Sequence, residues 1–473
     1  MLKDPGPQQY EIEMVTLEQL VPKNHLVRKI DAAVDFEFIR DEVAHLYCHY
    51  NGRPAIDPVR LFKILLLGFL FGVKSERQLV KDIEVNVAYR WFLRMSLTEK
   101  VIDASTLSQN RRRRFNDTDV FERIFIRIVE QAMSKGMVDG RTLFTDSTHL
   151  KANANKRKYR NELVKQNVSA YAKLLDEAVD ADRAAEGKRP LKPKDGHIEK
   201  NTKVSTTDPD SGFMTRDQKP QGFFYLDHRT VDGKHGIILD THVTPGNVND
   251  AQPYIARLDT TLARFTLSPV AAGLDAGYFT ATICHELEQR QILPVMGYRR
   301  PHRTKNPIKK KHFHYDKETD RYLCPQGQEL IYKTTNRQAY REYHSAPQTC
   351  KTCPLREDCT KSKNHKRVIT RHLFEKSVEN ANALRLTAWG KKVYRRRAET
   401  VERSFADAKQ HHGHRYARFR GLLKVQIQCF LAAAAQNIKK IALMEAYLRK
   451  TGLNARQIVQ IVTQFSVYGL KAA

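Results

Sequence analysis

The chain has no long uncharged apolar run. Its most hydrophobic stretch, Ile56 to Val73, is interrupted by Asp57, Arg60 and Lys63, so the uncharged part is too short for a bilayer core of roughly 30 Å and reads as a buried helix. The amino-terminal MLKDPGPQQYEIEM lacks the apolar segment of a secretory signal, which points to the cytoplasm and away from a membrane partner. Cysteine is scarce, seven in 473 residues, and four of the seven fall in one segment. In a reducing compartment that bunching reads as thiols or metal ligands ahead of disulfides. No internal repeat is apparent.

Negative charge is also in deficit: 53 acidic residues face 81 lysines and arginines, a net charge of +28. The excess runs along the whole chain and is not confined to a tail. Neutralising phosphates is what such charge does well, so nucleic acid is the expected partner, with a membrane surface or mere solubility as the bland alternatives. A chain of 473 residues exceeds what one hydrophobic core usually supports, which predicts two or three folding units.

Up to about residue 136 the pattern is helical. Val120, Phe121, Ile124, Phe125, Ile128, Val129 and Met133 recur at three- and four-residue steps and stop at Gly136, the signature of an amphipathic helix with a glycine end. Ser75 with Gln78 forms a candidate capping box. DASTLSQNRRRRF predicts another helix, capped by Asp103 or Ser105 and carrying Arg111, Arg112, Arg113 and Arg114 near its end. It reads either as the DNA-facing helix of a helix-turn-helix-like unit or as a solvated arginine face.

From about residue 139 the period changes. RTLFTDSTHL reads as a short buried strand ending at Asp146, and Lys151 to about Gln221 as an inserted helix and linker. GFFYLDHRTV and KHGIILDTHV flank Asp232-Gly233, a dipeptide suited to a tight hairpin turn with both central residues at positive φ. SPVAAGLDAGY predicts a strand ending at Asp275, followed by a helix through Ile283 and Leu287 and a short strand in ILPVMGYRR. Residues 300–385 are basic and cysteine-bearing, an inserted module. A helix then carries Glu402 and Lys409, and an Ala-rich helix spans about Val425 to Leu443.

Phosphodiester cleavage by two metal ions needs carboxylates converging on cations roughly 3.5 to 4 Å apart, and oxygen ligands suit Mg²⁺ or Mn²⁺. Asp146, Asp275 and Glu402 supply such a set if the two strands are neighbours, since strand ends are where open α/β sheets place ligands. Any single Asp at a strand end is more often a cap or turn residue. Glu399 rivals Glu402 on the same helix, and Asp227, Asp240 and Asp250 read as hairpin or turn residues, with Asn247 and Asn249 ordering a loop.

The segments TDSTHLKANANK, STTDPDSGF, HVTPGNVNDAQPY, LDAGYFT and RRRAETVERSFADAKQHHGHRYARFRGL resemble, in the same order, those of DDE insertion-sequence transposases. PAIDPVRLFKILLLGFLFGVKSERQL and DASTLSQNRRRR are similar to that family's helical N-terminal domain. The resemblance implies an α/β fold: a ribonuclease H-like mixed sheet flanked by helices, with an all-α N-terminal domain and a small cysteine-bearing insertion. It implies Asp146, Asp275 and Glu402 as the catalytic acids, holding two Mg²⁺ or Mn²⁺ ions. The implied reaction is nicking at the element's ends and attack of the freed 3′-hydroxyl on target DNA. The implied partners are double-stranded DNA with terminal inverted repeats, target DNA, and further copies of the chain in a homodimer or higher oligomer in the bacterial cytoplasm, on the nucleoid. A ribonuclease H-like nuclease that only hydrolyses, or a non-catalytic DNA-binding derivative, is the alternative.

On this reading residues 1–136 form a helical DNA-binding or oligomerisation domain, and 137–300 the first part of the core with an insertion at about 151–221. Residues 301–385 form the basic cysteine-containing insertion, and 386–473 the second part of the core. A related signature places Tyr seven before the Glu, Arg four before and Lys seven after. Lys409 fits, whereas Tyr394 and Arg397 are one residue out of frame, a slip that on a regular helix rotates them off the face of Glu402. Arg395, Glu402 and Lys409, at steps of seven, share a face, which predicts phosphate contacts for Lys409 and Arg395.

Cys324, Cys350, Cys353 and Cys359 offer a CxxC knuckle and two further thiolates for a structural Zn²⁺. Four reduced cysteines packed in a small module are the alternative, and His344 or His365 is a substitute ligand. Cys48, Cys284 and Cys429 sit in apolar helical settings and read as packing residues. HHGHRYARFRGL mixes Arg415 and Arg418 with Tyr416, suited to phosphates and unpaired bases, and KKKHFH at Lys309 to His314 is a second basic patch.

Overall fold

A computed structural model describes residues 12–48, 55–115, 117–167, 171–192, 197–215, 221–298 and 307–452, with side chains left out at 164–167 and 197–200. Arg299 and Arg300 of the expected strand, and residues 453–473 of the expected C-terminal part, lie outside it.

Among the described residues eight α-helices come first: α1 (Leu17–Leu20), α2 (Leu26–Ala33), α3 (Phe38–Val43), α4 (Pro58–Leu70), α5 (Glu76–Val85), α6 (Val87–Phe92), α7 (Ala104–Asn110) and α8 (Val120–Ser134). The apolar stretch is indeed a buried helix, α4. Asp57 accepts from the Val59 amide and Pro58 occupies the first turn, where its missing N–H costs nothing. Lys63, the buried cation of α4, is neutralised by Asp31 at 3.0 Å. The capping box of α5 is half formed: Ser75 accepts from the Gln78 amide at 3.5 Å, but the Gln78 side chain turns to Asp82. Helix α8 buries its expected stripe and stops at Gly136, φ +67°.

Strand β1 (Thr142–Lys151) leads into an insertion made of β2 (Tyr159–Asn167), α9 (Ala172–Ala185) and β3 (His197–Ser205). β2 and β3 pair as an antiparallel ribbon, so the expected helix and linker are flanked by strands that the Lys-rich composition hid. Then come β4 (Gly212–Met214), β5 (Gly222–Asp232), β6 (Ile238–Pro245), α10 (Tyr254–Phe265), β7 (Ala271–Leu274), α11 (Ala281–Gln289) and β8 (Leu293–Met296). The spatial order is β6-β5-β1-β7-β8, with β4 sharing the outer edge of β5. β5 runs antiparallel to β1 and β6, while β7 and β8 run parallel to β1. This is the mixed α/β sheet that the sequence predicts, its strand order and directions consistent with a ribonuclease H-like fold. Two local expectations differ. β1 does not end at Asp146 but continues five residues beyond it, paired on β5 alone. The β5–β6 connection is five residues, 233–237, with Gly236 at φ +68°, because Asp232 turns inward to accept from the amides of Gly140 and Lys234.

The cysteine module is a five-stranded antiparallel sheet of β9 (His314–Asp316), β10 (Arg321–Leu323), β11 (Glu329–Thr335), β12 (Tyr340–Ser345) and β13 (Val368–His372). Two short helices, α12 (Pro347–Lys351) and α13 (Arg356–Cys359), lie between the last two strands. Phe313, Tyr322, Leu330, Tyr343 and Ile369 give it a small core of its own. Arg341 ties it to Asp182 of α9, so the two insertions lean on each other.

The chain returns through α14 (Glu375–Leu386), α15 (Ala388–Glu399), α16 (Val401–His411) and α17 (Leu422–Thr451). Although it lies within the expected inserted segment, α14 packs on α11 and β8 of the core. Helix α17 joins the two halves of the molecule. Its Ala432–Ala435 run lets backbones approach, and Phe430 meets Phe125 of α8 at 5.7 Å. Its amides also cover the open edge of β6: Gln426 bonds Val243 N and Thr241 O, and Asn437 bonds Ile238 N and O. Edge groups left bare would template pairing with another chain. The N-terminal helices and the central sheet therefore share one continuous apolar core. No described helix is long and apolar enough to cross a membrane.

Candidate active site

Pairing between β1 and β7 stops at Thr145–Leu274. The next residue on each strand is an acid, Asp146 and Asp275, and parallel neighbours lie roughly 4.8 Å apart. Asp275 leaves the sheet to cap a short 3-10 turn, accepting from the Ala276 amide at 2.5 Å. Asp146 accepts from Ser147 N at 2.8 Å. The third acid, Glu402, stands in the first turn of α16.

Arg397 holds the three together. Its Nη2 donates to Asp146 Oδ2 at 2.7 Å, and its Nη1 lies 3.4 Å from Glu402 Oε1 and 4.0 Å from Asp275 Oδ1. The Arg397 side chain is 5% exposed, against 51% for each of Asp275 and Glu402. This corrects the expectation that Arg397 and Tyr394 are rotated away. The helix is not regular: Thr400, at φ −109° and ψ −93°, breaks it into α15 and α16. The Thr400 hydroxyl bonds the Arg396 carbonyl at 2.7 Å, a back-bond that bends helices. The bend offsets the one-residue slip and returns Arg397 to Glu402, with Arg397 3.4 Å from the Tyr394 hydroxyl. The same break removes the shared face that selected Arg395, which is exposed on α15. Lys409 stays on α16 with Glu402, two turns along.

Gly297, just past β8, shows how tightly this corner is built: a Cβ there would come within 2.7 Å of the Tyr394 hydroxyl and 2.9 Å of Ala276 N.

Burial pushes the Asp146 carboxyl up to about 6; Arg397 and the Ser147 amide oppose the rise, while Asp275 and Asp250 add to it. Asp250, in the turn after β6, is near enough for its charge to be felt at Asp146. Beneath lies Tyr278, 1% exposed, its ionisation suppressed by burial and then by Asp250, Asp146 and Asp275. Glu399 ends α15 exposed, whereas Glu402 is the glutamate that meets Arg397. Asp240 is committed to Arg257 at 2.9 Å.

Asp227 is fully buried behind the acids. It accepts from Arg229 Nε at 2.8 Å, His414 Nε2 at 2.8 Å and Thr241 Oγ1 at 2.6 Å. Cys429 completes a buried trio of donor types with Asp227 and His414. With Arg229 already against the carboxylate, the trio is a hydrogen-bonded brace and no cation site. Arg229, opposite Asp146 in the strand register, also donates to Ser404 Oγ at 3.1 Å and Gln436 Oε1 at 2.7 Å. It thereby clamps α16, the Glu402 helix, to the sheet.

The expected DNA contacts divide. Arg112 and Arg113 are exposed on a single π-helical turn, Arg111–Phe115, but Arg111 is buried, paired with Glu76 at 3.0 Å and stacked on Phe419 at 4.1 Å. Arg114 lies 4.4 Å over Tyr47. Arg415 and Tyr416 are exposed, whereas Arg418 stacks on Phe69 at 4.1 Å and burial pushes its pKa down to about 10. Beside it His412 Nδ1 meets the Phe69 carbonyl at 2.8 Å. The Arg-rich loop is thus largely a fastener between core and N-terminal helices, and Gly72, φ +67°, leaves only 2.7 Å for a Cβ against His411 O.

Cys324, Cys350, Cys353 and Cys359 line one cavity of about 790 Å³ at the end of the module, with His344 beside them. His365 is not in that lining. Cys284 and Cys429 are buried as expected, but Cys48 is exposed. In the second basic patch, Lys310 pairs with Glu375 at 2.8 Å and Phe313 is core.

Two family models match the chain: one described as a transposase domain (DUF772), over residues 15–113, and one described as a transposase DDE domain, over residues 323–442. The second match contains Glu402 but neither Asp146 nor Asp275, so those two enter the site through geometry. The chain is also similar to the piggyBac transposase seen by cryo-electron microscopy in a synaptic complex with hairpin DNA. Identity is 10%, the likeness covers 90% of this chain and 81% of that one, and the TM-score is 0.31. No curated protein matches.

Proposed function

Taking the chain as a DDE-type transposase, the family that its two matched segments show, we propose that it cuts DNA at the ends of an insertion sequence and joins the freed 3′-hydroxyl to target DNA, in a reaction that needs Mg²⁺ or Mn²⁺. The observation that carries this reading is the convergence of Asp146, Asp275 and Glu402 on one buried guanidinium. Three carboxylates repel one another unless a cation lies among them. In the metal-free chain Arg397 is that cation, and an all-oxygen donor set suits hard divalent ions. Asp146, Asp275 and Glu402 would hold two such ions, which when bound activate the attacking oxygen and steady the leaving oxygen.

The chain's own residues then position the DNA. Arg397 is placed to meet the phosphate once the acids are otherwise neutralised, and Lys409 extends the cationic face along α16. Arg112, Arg113, Arg415 and Tyr416 offer exposed contacts to double-stranded DNA carrying terminal inverted repeats. Two element ends must be joined to one target, so the reaction calls for a homodimer or higher oligomer, acting in the bacterial cytoplasm on the nucleoid. The four cysteines of the module, lining one cavity, are suited to a structural Zn²⁺.

The test is incubation of purified protein with a plasmid carrying the DNA that flanks the gene, with and without Mg²⁺, mapping 3′-hydroxyl ends and joined products. Breaks at the element's ends followed by joining support the proposal. Breaks without joining would reduce it to a nuclease, and binding without breaks would make the chain a non-catalytic DNA-binding protein.

A further inference from the structure

Where β1 outlasts its partner β7 it carries the chain to Lys151, and there two segments far apart in sequence meet. Lys151 N donates to Arg415 O at 3.2 Å, and Ala417 N donates to Lys151 O at 2.8 Å. Arg420 Nε reaches Asn153 O at 3.0 Å. The loop after β1 and the loop before α17 thus form one ledge. On it Lys151, Lys156, Arg157, Lys158, Arg415 and Lys424 are exposed, and among the described residues none has a carboxylate within ion-pairing distance. Asp210 is the exposed acid nearby, and it is occupied in accepting from Leu422 N at 2.9 Å. Tyr416 stands 53% exposed at the rim, with Lys151 Nζ 5.7 Å from its ring.

Unpaired, like-signed charges crowded on rigid backbone repel one another and gain nothing for the isolated fold, whereas a polyanion relieves them. We propose that this ledge grips the backbone phosphates of duplex DNA about five base pairs from the scissile phosphate. The distance follows from the strand itself. Lys151 is five residues beyond Asp146 on β1, a span of about 17 Å at roughly 3.4 Å per residue, and duplex DNA advances about 3.4 Å per base pair. The inference rests on the proposed function for the position of the cut, and it adds where the substrate must extend.

The probe is a set of DNA duplexes containing the element's end, truncated from 12 to 3 base pairs on each side of the cut in turn. With Lys156→Ala, Arg157→Ala and Lys158→Ala combined, the slope of log K against log salt falls by about 3, at roughly 0.9 per phosphate, and affinity at 0.15 M salt drops about a hundredfold. In the intact protein, truncation below about five base pairs on one side reproduces that loss, and the triple variant is then insensitive to the truncation. Unchanged slope in the variant, or truncation costs that simply add to the substitution's, overturns the proposal. Because the truncation arm uses the unaltered chain, it decides even if the variant misfolds. A length-dependent grip on DNA that is never cut would leave the ledge standing and remove the transposase chemistry instead.

Discussion

Arg397 Nη2 lies 2.7 Å from Asp146 Oδ2, a buried guanidinium standing against a carboxylate that burial pushes up to about 6 even in its presence. The pair offsets the mutual repulsion of the clustered acids. Removing one partner of a buried ion pair leaves an uncompensated charge and costs about 3–5 kcal/mol. Arg397→Met is therefore expected to lower the stability of the metal-free protein by about 3 kcal/mol, and added Mn²⁺ is expected to raise its melting temperature more than it raises that of the unaltered chain. Equal Mn²⁺-induced shifts in the two proteins would show that Arg397 does not stand in for the cation.

The Asp227–Arg229 pair, both side chains 0% exposed, separates positioning from stability. Arg229→Met alone is predicted to cost about 3–5 kcal/mol, whereas Asp227→Leu with Arg229→Met together should recover most of it. Activity should stay at least tenfold down in the double variant, because Ser404 and with it the Glu402 helix have lost their clamp. Chemical denaturation alongside single-turnover cleavage checks this; full recovery of cleavage with stability would assign Arg229 to folding alone.

Buried histidines make the fold acid-sensitive. Burial pushes His412 down to about 4 and His228 to about 3, and lowers His414 and His242 as well. Each binds a proton less readily when folded, so below about pH 6.5 the unfolded chain takes up protons that the folded chain refuses, and stability falls with pH. Asp146 and Asp232, both raised to about 6 by burial, and Asp208, raised by the same cause, work the other way between pH 6 and 4. His412 alone contributes roughly 2 kcal/mol of loss between pH 7 and pH 5. His412→Gln, which keeps a donor for the Phe69 carbonyl, should flatten denaturation midpoints over that range; an unchanged slope would contradict the assignment.

The cysteine module should carry one zinc per chain by elemental analysis. Cys353→Ser should lose that zinc and render the segment 308–373 protease-sensitive, while Mn²⁺-induced stabilisation at the acid site persists. A chain isolated from zinc-containing medium with no zinc, and indifferent to the substitution, would make the four cysteines packing thiols.

How far the sequence spoke for this fold depended on how local the signal was. The α8 stripe, the α4 burial and the β5–β6 pairing are written in runs of neighbouring residues, and they stand as read. Asp146, Asp275 and Glu402 stand out in the sequence because each sits in a distinctive segment, and the structure brings the three together around Arg397. Arg397 was misjudged because the inference assumed a straight helix; the adjacent β-branched Thr400 and Val401 were the available sign of a break. The sequence offers Arg111, Arg114 and Arg418 to DNA or to solvent because charge is visible in it and their aromatic partners Phe419, Tyr47 and Phe69, remote in sequence, are not. The β2–β3 ribbon hid for a similar reason, since its strands are separated by α9 and too polar to show an alternation.

The central claim is that Asp146, Asp275 and Glu402 act as one metal-dependent cutting site on DNA. The most direct measurement is Mg²⁺-dependent cleavage of an element-end duplex by Asp146→Asn, Asp275→Asn and Glu402→Gln, with DNA affinity measured in parallel. Loss of cleavage by at least a thousandfold in all three, with affinity held within a few fold, is the predicted result. Cleavage that survives in any one of them, or that disappears only because DNA no longer binds, would contradict it.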